Sequence, residues 1–203
     1  MKRILFFVCL IFCFDISYAQ ETDNFIKKDK IGLTVSTLGE SNIVRFQNLI
    51  GEGRIDRRRF LTFGVNYIHS LNKRIDFETG LEFESYTTTV YPAVNPDGNN
   101  FPSYGNLNFL NIPVTLRANF WRFFYINGGA LIDLDISKSS GVDAQTGIGT
   151  MLGVGWKYDF KSGWQISINP YSKLHSLISF SNSNYPQRLL ETGCRWSVMI
   201  PLK

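Results

Sequence analysis

The sequence predicts an all-β fold, an eight-stranded antiparallel up-and-down transmembrane β-barrel. Three observations carry that prediction. Apolar and polar residues alternate with period 2 over eight segments, most of them ten or more residues long. The apolar parity of each segment carries no Asp, Glu, Lys or Arg, while the opposite parity, strand-end residues aside, collects eleven such residues. The links between segments alternate between short and long, as in barrels with short turns at one rim and long loops at the other.

Composition limits the other classes. The chain has 203 residues with a net charge of +4, and it is rich in aromatics, with 17 Phe, 9 Tyr and 4 Trp. A disordered chain, a collagen and a coiled coil are excluded. A multi-span helical membrane protein is excluded because only the N-terminus holds a long apolar run. The mean hydropathy of -0.07 is near neutral. It still admits a membrane barrel, because half of each strand is polar.

The N-terminus comes first. Lys2 and Arg3 precede an apolar run from Ile4 to Phe14, and Ser17, Tyr18 and Ala19 follow. A charged start, a short apolar stretch and small residues at −3 and −1 read as a secretory signal peptide cleaved between Ala19 and Gln20. The run is too short to span a bilayer as a helix, and Asp15 interrupts it. The expected organisation is a signal over 1–19, a short periplasmic segment over 20–29 and a barrel domain over 30–203. Cys9 and Cys13 leave with the signal, so Cys194 remains alone, without a disulfide or a cysteine metal site. Loss of Lys2, Arg3 and Asp15 leaves 19 basic and 16 acidic residues, a net charge of +3. That mild excess gives no reason to expect a nucleic-acid partner.

The eight strands are predicted at Lys30–Leu38, Phe60–Leu71, Arg74–Thr88, Asn108–Phe120, Phe124–Ser137, Gly147–Asp159, Gly163–Leu177 and Leu189–Leu202. Their apolar faces read, for example, Leu61, Phe63, Val65 and Tyr67, or Trp196, Val198, Ile200 and Leu202. A soluble sandwich would also alternate, but its strands usually run to about 5–6 residues. A charge facing lipid at the bilayer midplane costs about 2–4 kcal/mol, which accounts for the charge-free face. Phe120, Trp121, Phe123, Phe124, Tyr125, Tyr158, Phe160 and Trp164 crowd the strand ends beside the short links. They are expected to form an aromatic girdle at the lipid headgroups. Pro113 and Pro170 each remove a ladder donor, so bulges are expected there.

The stretch from Phe109 to Phe120, FLNIPVTLRANF, resembles a segment of the PorT-like outer-membrane β-barrel family. The next strand, Phe124-Tyr125-Ile126-Asn127-Gly128-Gly129-Ala130, resembles that family's aromatic–Gly–small pattern. The resemblance implies an eight-stranded barrel in a Gram-negative outer membrane, with links to protein secretion in some members and no single activity. Such barrels commonly end in an aromatic residue, whereas this chain ends in Ile200-Pro201-Leu202-Lys203.

The candidate site is the charged parity: Asp76, Glu78, Glu82, Glu84, Arg117, Asp133, Asp135, Lys157, Lys173, Glu191 and Arg195. Four of its acids share one strand, and Arg117, Arg195, Lys157 and Lys173 are the partners available to them. An eight-stranded barrel is just wide enough to be filled by side chains, so a salt-bridged plug is one reading. A narrow path leaning towards cations is the other. His69 falls on the lipid parity near a short-turn end and reads as interfacial. His175 falls on the lumen parity, with Ser176 on the opposite face. A His–Ser–acid site using His175, Ser179 and Glu191 would make the chain a lipid A-modifying enzyme, but nothing in the sequence positions the three. Arg54, Arg57, Arg58 and Arg59 in the first long loop read either as a solvated run or as contacts to lipopolysaccharide phosphates. The functional expectation is a non-enzymatic envelope barrel without cofactor or metal. Its expected partners are outer-membrane lipid and lipopolysaccharide, the barrel-insertion machinery, and periplasmic or secretion-system proteins.

Overall fold

The computed structural model describes residues 29–45, 55–56, 60–90, 103–137, 145–180 and 187–202. These hold nine strands and no helix. They are β1 (Lys30–Arg45), β2 (Ile55–Asp56), β3 (Phe60–Ser70), β4 (Ile75–Val90), β5 (Ser103–Phe120), β6 (Phe124–Asp135), β7 (Gly147–Asp159), β8 (Gln165–Ser179) and β9 (Gln187–Pro201). Strand β2 is a two-residue addition that pairs with the end of β4. The other eight are the staves of a closed antiparallel barrel. Each pairs with its neighbours in the chain, and β1 closes the sheet on β9, from Lys30 opposite Pro201 to Arg45 opposite Gln187. Closure leaves no stave with an unpaired edge.

All eight predicted strands are present, but several run further at the end bearing the long links. β1 continues to Arg45, β4 to Val90 and β8 to Ser179, while β5 already begins at Ser103. Apolar alternation marks only the band whose outward face is apolar. The hydrogen-bond ladder continues beyond it, where outward residues such as Glu40 and Asn106 are polar and exposed.

The burial pattern is that of a soluble protein turned inside out. Leu33, Leu61, Phe63, Leu81, Leu116, Leu152, Val154 and Trp196 are exposed on the wall, while Glu82, Glu84, Asp133 and Glu191 are fully buried in the lumen. In water this arrangement would be unfavourable; against hydrocarbon it is the stable one.

The three short turns close by local chemistry. Asn72 Oδ1 accepts the backbone N–H of Arg74 (2.8 Å) and Ile75 (2.7 Å), an Asx turn between β3 and β4. Trp121 takes a left-handed conformation (φ 54°) between β5 and β6. Gly163 (φ 88°) supplies the left-handed residue between β7 and β8, where glycine carries no steric cost.

Three expectations are corrected here. Pro113 and Pro170 sit in ladders whose register does not slip on either side. The bulges lie elsewhere, between Ser36 and Leu38 of β1 and in β8 opposite Ile148–Thr150. In the second, Ser176 is left-handed (φ 49°) and both His175 and Ser176 turn inward. Ser176 is therefore a lumen residue, against the strict period-2 expectation, because a bulge inserts residues and resets the parity. Tyr125 is the third correction. It is fully buried on the lumen face of β6, with the Arg117 guanidinium 4.1 Å over its ring, so it is no part of the girdle. Trp121, Phe124, Tyr158, Phe160 and Trp164 remain exposed beside the short turns, and Phe120 and Phe123 are half-buried there.

Candidate functional site

β4 is the spine of the lumen. Its inward positions are Asp76, Glu78, Gly80, Glu82, Glu84 and Tyr86. Gly80 leaves the space that Asn66 of β3 occupies, since a Cβ there would lie 2.8 Å from Asn66 Oδ1. The Asn66 amide then donates to Glu78 (3.1 Å) and Glu82 (3.3 Å), bridging two acids with one neutral group.

The acids do not simply repel, because bases from β5, β8 and β9 interleave with them. Arg117 Nη2 lies 2.8 Å from Glu78 Oε2, and Arg195 Nη2 lies 3.0 Å from Glu78 Oε1. Arg195 Nη1 continues to Glu82 Oε1 at 3.1 Å. Lys173 Nζ bridges Glu82 Oε2 (2.8 Å) and Glu84 Oε1 (2.5 Å). His175 Nε2 faces Glu84 Oε2 at 3.5 Å, and its Nδ1 faces Asp133 Oδ1 at 3.1 Å. The result is one chain, Arg117–Glu78–Arg195–Glu82–Lys173–Glu84–His175–Asp133, in which acids and bases alternate. Both ring nitrogens of His175 face carboxylates.

The remaining predicted residues take other places. Near the short turns, Lys157 Nζ donates to Asn119 Oδ1 (2.5 Å) and lies 4.0 Å from Asp159, which also accepts from Lys30 (2.5 Å). Asn119 in turn donates to Asp76 Oδ2 (2.7 Å). Asp135 is only half-buried and stands apart from the chain. Its carboxylate accepts the backbone N–H of Ser137 (2.9 Å) and Gln145 (3.0 Å), fixing the two ends of a long link. Glu191 accepts from the Tyr86 and Tyr171 hydroxyls and faces His175 Nε2 at 3.9 Å. The Ser176 hydroxyl donates to Thr146 O (3.4 Å), and its N–H donates to Asp133 Oδ2 (2.8 Å). Ser176 is thus engaged with Thr146 and Asp133. His69, exposed on the wall, pairs with Asp29 at 3.0 Å. Arg54, Arg57, Arg58, Arg59, Ala19 and Gln20 lie outside the described residues.

Sequence reasoning missed the apolar part of the lumen. Phe60, Tyr86, Leu107, Phe109 and Leu189 form a buried cluster at the long-link end. Tyr86 packs against Phe60 (5.8 Å between ring centroids) and Phe109 (5.5 Å), and Phe109 stacks on His175 (5.4 Å). Parity held the signal, since each of these residues lies on the inward face of its strand, but an apolar side chain reads first as lipid-facing. The cluster covers the His175 end of the ionic chain. A groove of about 520 Å³ lies instead on the wall, lined by residues including Leu33, Val35, Phe63, Trp156, Trp196 and Val198.

No family model matches the chain, and no curated protein matches it. Among solved structures it is similar to the outer membrane protein AlkL, determined by solid-state NMR in DMPC bilayers. The TM-score is 0.50 at 10% identity, over 91% of this chain and 96% of that one. It is also similar to the outer membrane protein OprG from Pseudomonas aeruginosa, with a TM-score of 0.40 at 12% identity, over 86% and 93% of the two chains. The likeness to AlkL shows the fold, a small eight-stranded transmembrane barrel. The PorT-like resemblance implied the same barrel, and these matches do not extend to that family's name.

Proposed function

We propose that this chain is a sealed barrel of a Gram-negative outer membrane. It acts through its surfaces, in a structural, binding or secretion-accessory role, and neither conducts solute nor catalyses a reaction. The observation that supports this most is the alternating ionic chain from Arg117 to Asp133, buried and covered by the Phe60–Tyr86–Phe109 cluster. A conducting path needs polar groups that face water. Here the carboxylates and bases of the described lumen face one another. The charge-free apolar wall and the AlkL-like fold support the membrane location.

On this reading, lipid and lipopolysaccharide contact the wall and the outer rim, the insertion machinery delivers the chain, and a periplasmic or secretion protein is the functional partner. Single-channel recording in planar bilayers tests the sealed lumen. The expected trace has no discrete steps, and a reproducible unitary conductance would overturn the proposal in favour of a channel. The enzyme alternative is tested separately by mass spectrometry of lipid A from a deletion strain, where an unchanged profile is expected.

A further inference from the structure

Near the apolar end of the lumen, three side chains each bring one ligand atom to a common centre beside the Tyr86 hydroxyl. Glu84 gives Oε1 to Lys173 (2.5 Å) and turns Oε2 inward, where it accepts the Tyr86 hydroxyl (2.8 Å). Glu191 gives Oε1 to the Tyr171 hydroxyl and turns Oε2 inward, where it also accepts the Tyr86 hydroxyl. His175 gives Nδ1 to Asp133 (3.1 Å) and turns Nε2 inward. From Nε2 the distances are 3.5 Å to Glu84 Oε2, 3.9 Å to Glu191 Oε2 and 3.5 Å to the Tyr86 hydroxyl. All four residues are buried.

The separations from Nε2 are long for a hydrogen bond, while the Tyr86 hydroxyl bonds both carboxylates and holds them together. The 3.5 Å from Nε2 to Glu84 is the separation expected of ligands that share one ion, and 3.9 Å to Glu191 is a few tenths of an ångström longer. Zinc bonds to nitrogen and oxygen of about 2.0–2.2 Å place tetrahedral neighbours about 3.3–3.6 Å apart. The surroundings have the features of a metal site as well. Asp133 holds the far nitrogen of His175, as a carboxylate commonly does for a metal-bound imidazole, and so fixes which nitrogen faces the centre. The local charge also favours a cation, because Glu82, Glu84, Glu191 and Asp133 outnumber Lys173 and Arg195.

We propose that Glu84, His175 and Glu191, with the Tyr86 hydroxyl beside them, bind one divalent ion of the zinc class inside the barrel. One imidazole and two carboxylates suit zinc better than calcium or magnesium, which prefer oxygen ligands alone and more of them. The site is covered by Phe109 and Tyr86, so the ion enters as the barrel closes and exchanges slowly afterwards. The inference stands on the lumen geometry alone and does not depend on whether the barrel conducts.

The full chain is purified in detergent, unfolded in urea with chelator, and refolded with or without zinc chloride. After chelator washing, metal is counted by plasma mass spectrometry. About one zinc per chain is expected in the wild type and in His69→Ala, with at least a tenfold fall in His175→Ala and in Glu191→Gln. Less than a tenth of an equivalent in the wild type overturns the proposal, as does full retention in His175→Ala and Glu191→Gln. If those two variants do not refold, cobalt replaces zinc in the wild type. Ligand-field absorption of a four-coordinate ion is then expected, and an octahedral solvated spectrum overturns the site.

Discussion

Glu82 stands between two bases of the ionic chain, and removing it measures how dry that lumen is. Its carboxylate holds Arg195 at 3.1 Å and Lys173 at 2.8 Å and accepts the Asn66 amide at 3.3 Å. Two unit charges about 3 Å apart attract by about 5 kcal/mol at an effective dielectric near 20, and by about 1.4 kcal/mol in water. In a dry lumen, Glu82→Met keeps the side-chain bulk but leaves Lys173 with Glu84 alone and Arg195 with Glu78 alone. Removing one member of a buried pair costs about 3–5 kcal/mol, against about 0–1 kcal/mol for a solvated pair. The compensating change is Arg195→Met. In the double variant Arg117 still pairs with Glu78, and Lys173 with Glu84, so each remaining charge keeps a partner. The double variant should therefore lose less than the sum of the singles, with a coupling of about 1–3 kcal/mol. The assay is urea unfolding in phospholipid vesicles followed by tryptophan fluorescence, with linear extrapolation to water. Trp121, Trp156, Trp164 and Trp196 are all exposed on the outer surface and report loss of the lipid contact. A Glu82→Met variant within about 1 kcal/mol of wild type, with no coupling to Arg195, would mean a hydrated lumen and refute the sealed barrel.

The other predictions concern the wall, the packing and the short-turn rim. Leu33 is 68% exposed on the outer wall, so Leu33→Arg should cost about 2–4 kcal/mol of folding free energy in vesicles. A neutral result in the same urea assay would mean that this face does not meet hydrocarbon. Gly155 lies under Tyr125, and a Cβ there would sit 2.1 Å from the ring. Gly155→Ala should destabilise the barrel by about 1–3 kcal/mol, and Tyr125→Leu in the same chain should recover most of the loss; no recovery would show that the clash lies elsewhere. Hydrogen bonds from Tyr67 and then His69 hold the Asp29 carboxyl below its ordinary value of 3.8. A carboxyl depressed in the folded state stabilises above its unfolded value, and that contribution disappears as pH falls through the folded value. Wild type should therefore lose stability below pH 3.8 more steeply than Asp29→Asn, and parallel pH curves would remove Asp29 from the account.

Much of the architecture was legible because lipid imposes a simple rule on each strand. One face must be free of charge, so period-2 parity alone located eight strands and assigned most lumen acids and bases correctly. Where the rule has local exceptions, parity failed. The β8 bulge turned Ser176 inward, and at Asp135 the strand ends and the carboxylate serves a loop instead of the lumen. Apolar residues on the inward parity, such as Phe109 and Leu107, were overlooked because hydrophobicity has two destinations in a small barrel, and composition does not separate them.

The three charged partners of Glu78 and Glu82 show the division most clearly. Sequence alone determined that β4 carries a row of inward acids and that other strands carry inward bases, since both follow from alternation within one strand. Which base meets which acid was decided only in the tertiary structure. Arg195 reaches Glu82 across 113 positions of sequence and Lys173 across 91, and neither belongs to a strand paired with β4. Their meeting depends on closure of β1 on β9 and on the register of every ladder between. The same closure brings Glu84, His175 and Glu191 to one point, from three strands whose sequences give no sign of one another.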